Sequence, residues 1–193
     1  MLNLTSKIDM AWLMAEKQHV GQDYGPFPYK KHLMDMKSIL DQLIAQFKWV
    51  CEDEMPSEWD WEDWITDDEF IEDLICVIIL HDALEDGRMS YNDVKRYFGL
   101  RVAEGVFCVS DDPGRDRAAR KNYKRIKSNM FSRIAKLIDR YANLANSKQE
   151  GSSMLKKYKK EYQEFKDKLT VKEPHLFETW MWNHLDKLLN IKN

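Results

Sequence analysis

Apolar residues recur at helical spacing along most of the chain, and this periodicity predicts an all-α fold. In the segment 30–50, for example, Met36, Leu40 and Leu43 lie on one side of a helix. The 193 residues include only seven glycines and five prolines, so few positions interrupt helices. We expect helices at about 6–21, 30–50, 66–86, 90–98, 102–110, 116–129 and 131–146, then one after Ser153 and one from Pro174.

Length and charge limit the classes of partner. A chain of 193 residues can bury a sizeable core as one large or two small domains. Its net charge of -3 leaves no overall basic field, so nucleic acid is not expected as a partner. The three cysteines are widely spaced, the amino terminus lacks a signal-peptide core, and no apolar run is long enough for a membrane. We expect a protein of the reducing cytoplasm.

One short segment concentrates metal- and proton-handling side chains at the end of an apolar stripe, namely His81, Asp82, Glu85 and Asp86. On a helix, at about 100° per residue, the histidine and the three acids would fall within an arc of roughly 140°. An imidazole beside a carboxylate suits a divalent cation, and two further carboxylates are placed to handle the protons of a bound water. A helix end with solvated acids explains the same pattern, so this segment leaves both interpretations open.

A metal site needs further ligands, and two residues elsewhere have suitable surroundings. His32 follows a rigid proline turn and begins a predicted helix. Asp139 lies among apolar residues within another predicted helix, where a buried acid needs a partner such as a cation. Each has a simpler explanation as well. His32 also fits a cap or core histidine, and Asp139 also fits an ion pair with Arg133 or Arg140.

Residues 51–68 combine three tryptophans with many acidic residues. Two interpretations fit Trp59, Trp61 and Trp64. The first is a lid or a surface that binds a protein partner, and the second is a surface helix whose rings pack on the core. We favour the second interpretation. The acidic charge would repel a polyanion, so phosphate binding is not expected in this segment.

Together these motifs resemble the HD-domain metal phosphohydrolases, specifically the hydrolase domain of the Rel/Spo alarmone enzymes and the stand-alone small alarmone hydrolases. The resemblance covers about residues 4–146, and its His-Asp-x-x-Glu-Asp form is much more specific than a bare His-Asp pair. The matching segments are 15–22 (AEKQHVGQ), 28–32 (PYKKH), 80–86 (LHDALED), 98–103 (FGLRVA), 109–111 (VSD) and 136–144 (KLIDRYANL). The resemblance implies an HD-domain helical bundle with a metal site between core helices. Residues 1–150 would form the hydrolase domain, and 151–193 a helical extension packed on it.

The resemblance also implies roles for individual residues. In that family a divalent cation, usually Mn²⁺, is held by four ligands, which match His32, His81, Asp82 and Asp139. The family's Glu-Asp pair, which positions and activates the attacking water, matches Glu85 and Asp86. Its nucleotide-contacting asparagine matches Asn143. The implied reaction is removal of the 3′-pyrophosphate of ppGpp or pppGpp, the nucleotides of the stringent response.

Recognition of the base and phosphates departs from the family pattern. The basic segment that packs on guanine in alarmone hydrolases is replaced here by residues 23–27 (DYGPF). Tyr24 can stack on a purine in its place, although a packed aromatic explains it equally well. Among the basic residues before the Asp139 helix, we expect Arg120 and Lys124 to contact phosphates, because residues four apart share a helix face.

Two alternatives keep parts of this interpretation. Relatives of the fold act on other nucleotides, including deoxynucleoside triphosphates and NADPH, so the first alternative is the same chemistry on one of these substrates. A non-catalytic HD-fold binding protein that docks through its tryptophans is the second alternative. The complete set of ligand and Glu-Asp matches argues against it.

Overall fold

The computed structural model describes residues 6–54, 67–85, 89–112 and 121–190. Within these ranges the chain forms one two-stranded hairpin and otherwise helices, which confirms the predicted all-α class. None of the described helices is both long and apolar enough to cross a membrane. The elements are α1 (Lys7–Gln18), β1 (Asp23–Tyr24), β2 (Phe27–Pro28), α2 (Lys30–Glu54), α3 (Asp68–Leu80), α4 (Tyr91–Phe98), α5 (Leu100–Val109), α6 (Tyr123–Ser128), α7 (Met130–Gln149), α8 (Met154–Leu169) and α9 (Leu176–Leu189).

The central part of the core is built around α3. Its residues 74–80 are all buried, because the sequence there is apolar on every side of the helix. The helix begins after Asp67, whose side chain accepts hydrogen bonds from the backbone N–H groups of Glu69 and Phe70. α3 packs against α1, α2, α5 and α7, so its carboxyl end lies inside the bundle.

The last two helices, α8 and α9, pack on α7 and share one continuous hydrophobic core with the rest of the described chain. Arg133 on α7 donates two hydrogen bonds to the buried carboxylate of Glu178 on α9, at 2.6 and 3.0 Å. Tyr162 on α8 donates a 2.6 Å hydrogen bond to Asp186 on α9. This packing fits the expected carboxyl-terminal extension of residues 151–193, while the domain boundary at residue 150 stays a prediction.

A small hairpin replaces the simple proline turn that the sequence predicts before α2. β1 and β2 pair in antiparallel register, with Asp23 opposite Pro28 and Tyr24 opposite Phe27. At the turn, Gly25 has a φ of 61°, a backbone conformation that favours glycine. The hairpin thereby brings aromatic side chains to the amino-terminal end of α2, where His32 lies.

Candidate metal centre

Three of the four predicted metal ligands meet in the interior of the bundle. His32 lies in the first turn of α2, His81 directly follows α3, and Asp139 lies in the middle of α7. Their donor atoms lie within 4.8 Å of one another, and both histidines are buried. Bonds of about 2.0–2.2 Å from a divalent cation to N or O ligands allow donor atoms to be at most about 4.4 Å apart. Only small inward shifts are therefore needed for one ion to contact all three.

Asp82, the fourth predicted ligand, lies at the edge of this cluster. Its Oδ2 is 3.2 Å from Nε2 of His81, and its side chain is 28% exposed. The same oxygen accepts a short hydrogen bond from the hydroxyl of Tyr29. The structure thus brings Asp82 beside the other three residues, with one face towards solvent.

The two histidines present nitrogen atoms that suit a cation. Nδ1 of His81 lies 2.9 Å from the backbone carbonyl of Ile78, so the ring N–H donates there and Nε2 is left as the ligand atom. Nε2 of His32 lies 3.5 Å from Oδ1 of Asp139. Nδ1 of His32 is buried and has no hydrogen-bond partner among the residues that the structure describes. Imidazole nitrogens beside carboxylates fit a borderline divalent cation such as Mn²⁺.

Charge interactions dominate the protonation of the His81–Asp82 pair. Burial acts to lower the pKa of His81, but the Asp82 carboxylate outweighs burial and raises that pKa to about 9. Burial acts to raise the pKa of Asp82, but His81 holds it below its usual range. Without a cation, Asp82 is therefore ionised and His81 carries a second ring proton at neutral pH, which a cation bound at Nε2 would displace.

A buried lysine balances the charge of Asp139. Burial alone would raise the pKa of Asp139, but Lys136 and then His32 hold it well below the usual range. Nζ of Lys136 lies 3.1 Å from Oδ2 of Asp139, one helical turn away. Asp139 therefore pairs with Lys136 and not with Arg133 or Arg140, which are the partners that the sequence had suggested.

The described part of the His-Asp-x-x-Glu-Asp segment, residues 81–85, does not continue the α-helix, which corrects the expectation that its polar residues share one arc of a helix. α3 ends at Leu80, and the chain continues in tight turns, with the N–H of Glu85 donating to the carbonyl of Asp82 at 3.0 Å. The physical reason is local. The His81 ring takes the Ile78 carbonyl that the backbone N–H of Asp82 would use in a continuing helix.

Glu85 lies next to the cluster, as expected for a residue that handles protons. Its Oε1 accepts a 2.8 Å hydrogen bond from the backbone N–H of Asp111. Burial, followed by the nearby Asp82 charge, raises the pKa of Glu85. Asp86, the second acid of the predicted pair, lies outside the described residues. So do Trp59, Trp61 and Trp64, so neither their favoured packing on the core nor the alternative lid or docking role is tested.

The residues expected to contact the nucleotide base lie at the cluster but are already engaged within it. Asn143 donates through Nδ2 to the backbone carbonyl of Asp139 at 2.9 Å, and also to Oδ1 of that residue. Its Oδ1 accepts a 3.0 Å hydrogen bond from the hydroxyl of Tyr24. The ring of Tyr24 lies 4.6 Å from the ring of His32. Contact of Tyr24 and Asn143 with a substrate stays a prediction.

A different lysine from the predicted one lies near the charged residues of the cluster. Lys124 is exposed on α6, and Arg120 is not among the described residues. Lys121, which the sequence analysis did not select, is half-buried, and burial together with the charges of Lys136 and Arg140 lowers its pKa. Nη1 of Arg140 is buried without a hydrogen-bond partner in the described ranges. Because Lys136 already pairs with Asp139, and Nη1 of Arg140 lies 3.9 Å from Oε2 of Glu161, Lys121 is the cation in this part of the site that we consider for an anion.

Comparison with models of known families and with curated proteins gives no match. Among solved structures, the chain is similar to one described in the words "A metazoan ortholog of SpoT hydrolyzes ppGpp and plays a role in starvation responses". The TM-score is 0.66 at 18% sequence identity, and the alignment covers 97% of this chain and 98% of that chain. At such low identity the likeness establishes the fold. The chain therefore has the helical fold of this metazoan SpoT ortholog, which is the fold that its motifs led us to expect.

Proposed function

We propose that this chain is a metal-dependent phosphohydrolase that removes the 3′-pyrophosphate of ppGpp or pppGpp. The observation that carries the proposal is the cluster of His32, His81 and Asp139, whose donor atoms lie within 4.8 Å of one another. Two findings support the choice of substrate class. The sequence motifs resemble those of alarmone hydrolases, and the solved structure with the same fold is of a protein that hydrolyses ppGpp.

The proposed ligands are His32, His81, Asp82 and Asp139, with Mn²⁺ as the cation that the family resemblance implies. When bound, such a cation polarises a phosphoryl oxygen and lowers the pKa of water. The chain's own contribution is to keep both carboxylates ionised and both imidazoles buried in a fixed orientation. The pairing of Asp139 with Lys136 at 3.1 Å serves that purpose.

Glu85 is the proposed acceptor of the proton from the attacking water. The water oxygen forms a bond to the phosphorus attached to the ribose 3′-oxygen, and the bond between that phosphorus and the 3′-oxygen breaks. The water's proton passes to Glu85, and the 3′-oxygen gains a proton from solvent, which yields GDP or GTP and pyrophosphate. A carboxylate with a raised pKa accepts a proton more readily than an ordinary one. Asp86 completes the proposed pair.

The phosphates and the base are assigned to the side of the site that carries positive and aromatic residues. Lys121 joins the predicted Arg120 as a proposed phosphate contact and takes the place of the exposed Lys124, because its charge lies near Lys136 and Arg140. Asn143 and Tyr24 remain proposed contacts to the nucleoside. Since the basic guanine-packing segment is missing, we expect weak discrimination between guanine and adenine alarmones.

A product screen with Mn²⁺ tests the proposal. The purified chain would be incubated with ppGpp, pppGpp, their adenine counterparts, deoxynucleoside triphosphates and NADPH, and released phosphate and pyrophosphate would be measured. We expect pyrophosphate from ppGpp and from its adenine counterpart. Activity on a deoxynucleoside triphosphate or NADPH alone would assign the protein to another substrate class. Mn²⁺ binding with no activity on any substrate would favour a binding protein.

A further inference from the structure

The segment from Tyr24 to Tyr29 reaches the candidate metal centre by two hydrogen-bonded routes. In the shorter route, the hydroxyl of Tyr29 donates directly to Oδ2 of Asp82. That oxygen also lies 3.2 Å from Nε2 of His81. The phenol therefore restricts rotation of the Asp82 carboxylate at the point where it meets the histidine.

The longer route leads from Tyr24 to Asp139 through one side-chain amide. The hydroxyl of Tyr24 donates to Oδ1 of Asn143 at 3.0 Å. Nδ2 of Asn143 donates in turn to Oδ1 of Asp139 and, at 2.9 Å, to the backbone carbonyl of Asp139. The carbonyl and the carboxylate of Asp139 only accept, so they face Nδ2 of Asn143, and the hydroxyl of Tyr24 holds the other end of the amide.

Both tyrosines are themselves held in place. The ring of Tyr29 stacks on the ring of His19 at a centroid distance of 4.2 Å, and only 6% of the residue is exposed. Its backbone N–H donates to the carbonyl of Gln22 at 2.9 Å. Tyr24 belongs to the hairpin, and its ring packs 4.6 Å from His32. The packing of both rings therefore holds the two hydroxyl groups in fixed positions.

We propose that the segment from Tyr24 to Tyr29 is a positioning element for the metal centre. Tyr29 orients Asp82, and Tyr24 orients Asp139 through Asn143. The inference rests on the proposed function for the presence of the metal and adds how its carboxylate ligands are fixed. Asp82 follows α3, whereas Asp139 lies on α7. The segment from Tyr24 to Tyr29 therefore orients two ligands that do not share a helix. Hydrogen bonds to ligands typically change metal affinity by about 10–100-fold.

The test measures Mn²⁺ affinity by calorimetry in the full chain, with thermal unfolding of the metal-free protein alongside. Tyr29→Phe and Tyr24→Phe each remove one hydroxyl and keep the ring. Tyr91→Phe is the matched control, because Tyr91 donates the same kind of hydrogen bond to the carboxylate of Glu104, between α4 and α5. We expect each of the first two variants to weaken Mn²⁺ binding about 10–100-fold. Tyr91→Phe should bind Mn²⁺ as the parent does, while its metal-free form should lose about as much thermal stability as the other two variants lose.

Double variants test the two routes separately. Tyr24→Phe and Asn143→Ala interrupt the same route, so combining them should weaken binding no more than Asn143→Ala alone. Tyr24→Phe and Tyr29→Phe interrupt different routes, so their effects on the free energy of binding should add.

The outcomes separate this inference from the proposed function. If His81→Ala abolishes Mn²⁺ binding while both tyrosine variants bind as the parent does, the positioning role is wrong and the metal centre stands. If Tyr91→Phe weakened Mn²⁺ binding as much as the two tyrosine variants do, the positioning role would also be wrong, because the loss would reflect general destabilisation of the protein. If His81→Ala binds Mn²⁺ as tightly as the parent, the metal centre of the proposed function is itself wrong.

Discussion

Glu85 is held in place by a hydrogen bond from the backbone of Asp111. Its Oε1 accepts the N–H of Asp111 at 2.8 Å, while burial and the Asp82 charge raise its pKa. The hydrogen bond orients the carboxylate, and the raised pKa brings its proton affinity closer to that needed at neutral pH. The two effects together suit a residue that takes up a proton during turnover.

Replacing this acid by its amide separates proton transfer from metal binding. In Glu85→Gln the side-chain oxygen can still accept the N–H of Asp111, so the local structure should survive. General acid–base catalysis typically contributes about 10² to 10⁴-fold, and we expect turnover of ppGpp to fall by that order. Steady-state kinetics and Mn²⁺ calorimetry on the same sample check this. Parent-like turnover would exclude Glu85 as the proton acceptor, and lost Mn²⁺ binding would show that Glu85 acts as a ligand.

Lys121 and Lys124 provide a paired test of phosphate contact. Lys121 is half-buried near Lys136 and Arg140, whereas Lys124 is exposed. A hydrogen bond to a charged group contributes about 1.5–3 kcal/mol, so Lys121→Met should raise the Michaelis constant for ppGpp about 10–100-fold. Lys124→Met should leave it unchanged. The reverse pattern would return the phosphate contact to the residue that the sequence predicts.

Residue types alone were enough to predict much of this site, but not which of its side chains contact one another. His32 and Asp139 were predicted because a histidine after a rigid turn and an acid in an apolar helix both need an explanation. Tyr29 and Lys121 carried no such signal, because their contacts depend on how separate helices meet. The position of Lys136 gave a weak signal in the sequence, since it precedes Asp139 by one helical turn.

At the scale of elements, α3 and α5 approach each other unusually closely at Gly105. A Cβ built there would lie 2.7 Å from Cγ2 of Val77 on α3 and 3.1 Å from Cβ of Phe131 on α7. Glycine is otherwise unfavourable inside a helix. Glycine at this position of α5 is thus explained by lack of space, because Val77 and Phe131 leave no room for a side chain.

Filling this space should destabilise the fold even though alanine favours helices. Gly105→Ala gains up to about 1 kcal/mol in helix propensity, and overpacking costs about 1–3 kcal/mol. We expect a net loss in the free energy of unfolding, measured by urea denaturation. Ala45→Gly, at an exposed position of α2, is the control and should lose about 1 kcal/mol from propensity alone. An increase in stability for Gly105→Ala would show that the helices can separate without cost.

Most helices could be predicted from sequence, because amphipathic periodicity reflects burial against a core. The hairpin at 23–28 could not, since two residues per strand are too few to show an alternating pattern. The end of α3 could not either. Apolar residues continue to Leu80, and only the contact of the His81 ring with the Ile78 carbonyl shows why the helix ends there.

At the scale of the whole molecule, α7 joins the metal centre to the rest of the bundle. It carries Asp139, Lys136 and Asn143, and it packs against α2, α3 and α5 on one side and α8 and α9 on the other. The buried pair of Arg133 and Glu178 anchors α9 to this helix at 2.6 Å. Asp139, a proposed metal ligand, is therefore held by the same packing that forms the core.

The cluster around His81 is, in our proposal, a metal-dependent active centre. The most direct measurement is release of pyrophosphate and GDP from ppGpp with Mn²⁺, for the parent and for His81→Ala, with Mn²⁺ binding followed in both. We predict that the parent binds one ion and releases both products, that a chelator stops the reaction, and that His81→Ala loses binding and activity together. Equal Mn²⁺ binding and equal product release by His81→Ala would contradict the account.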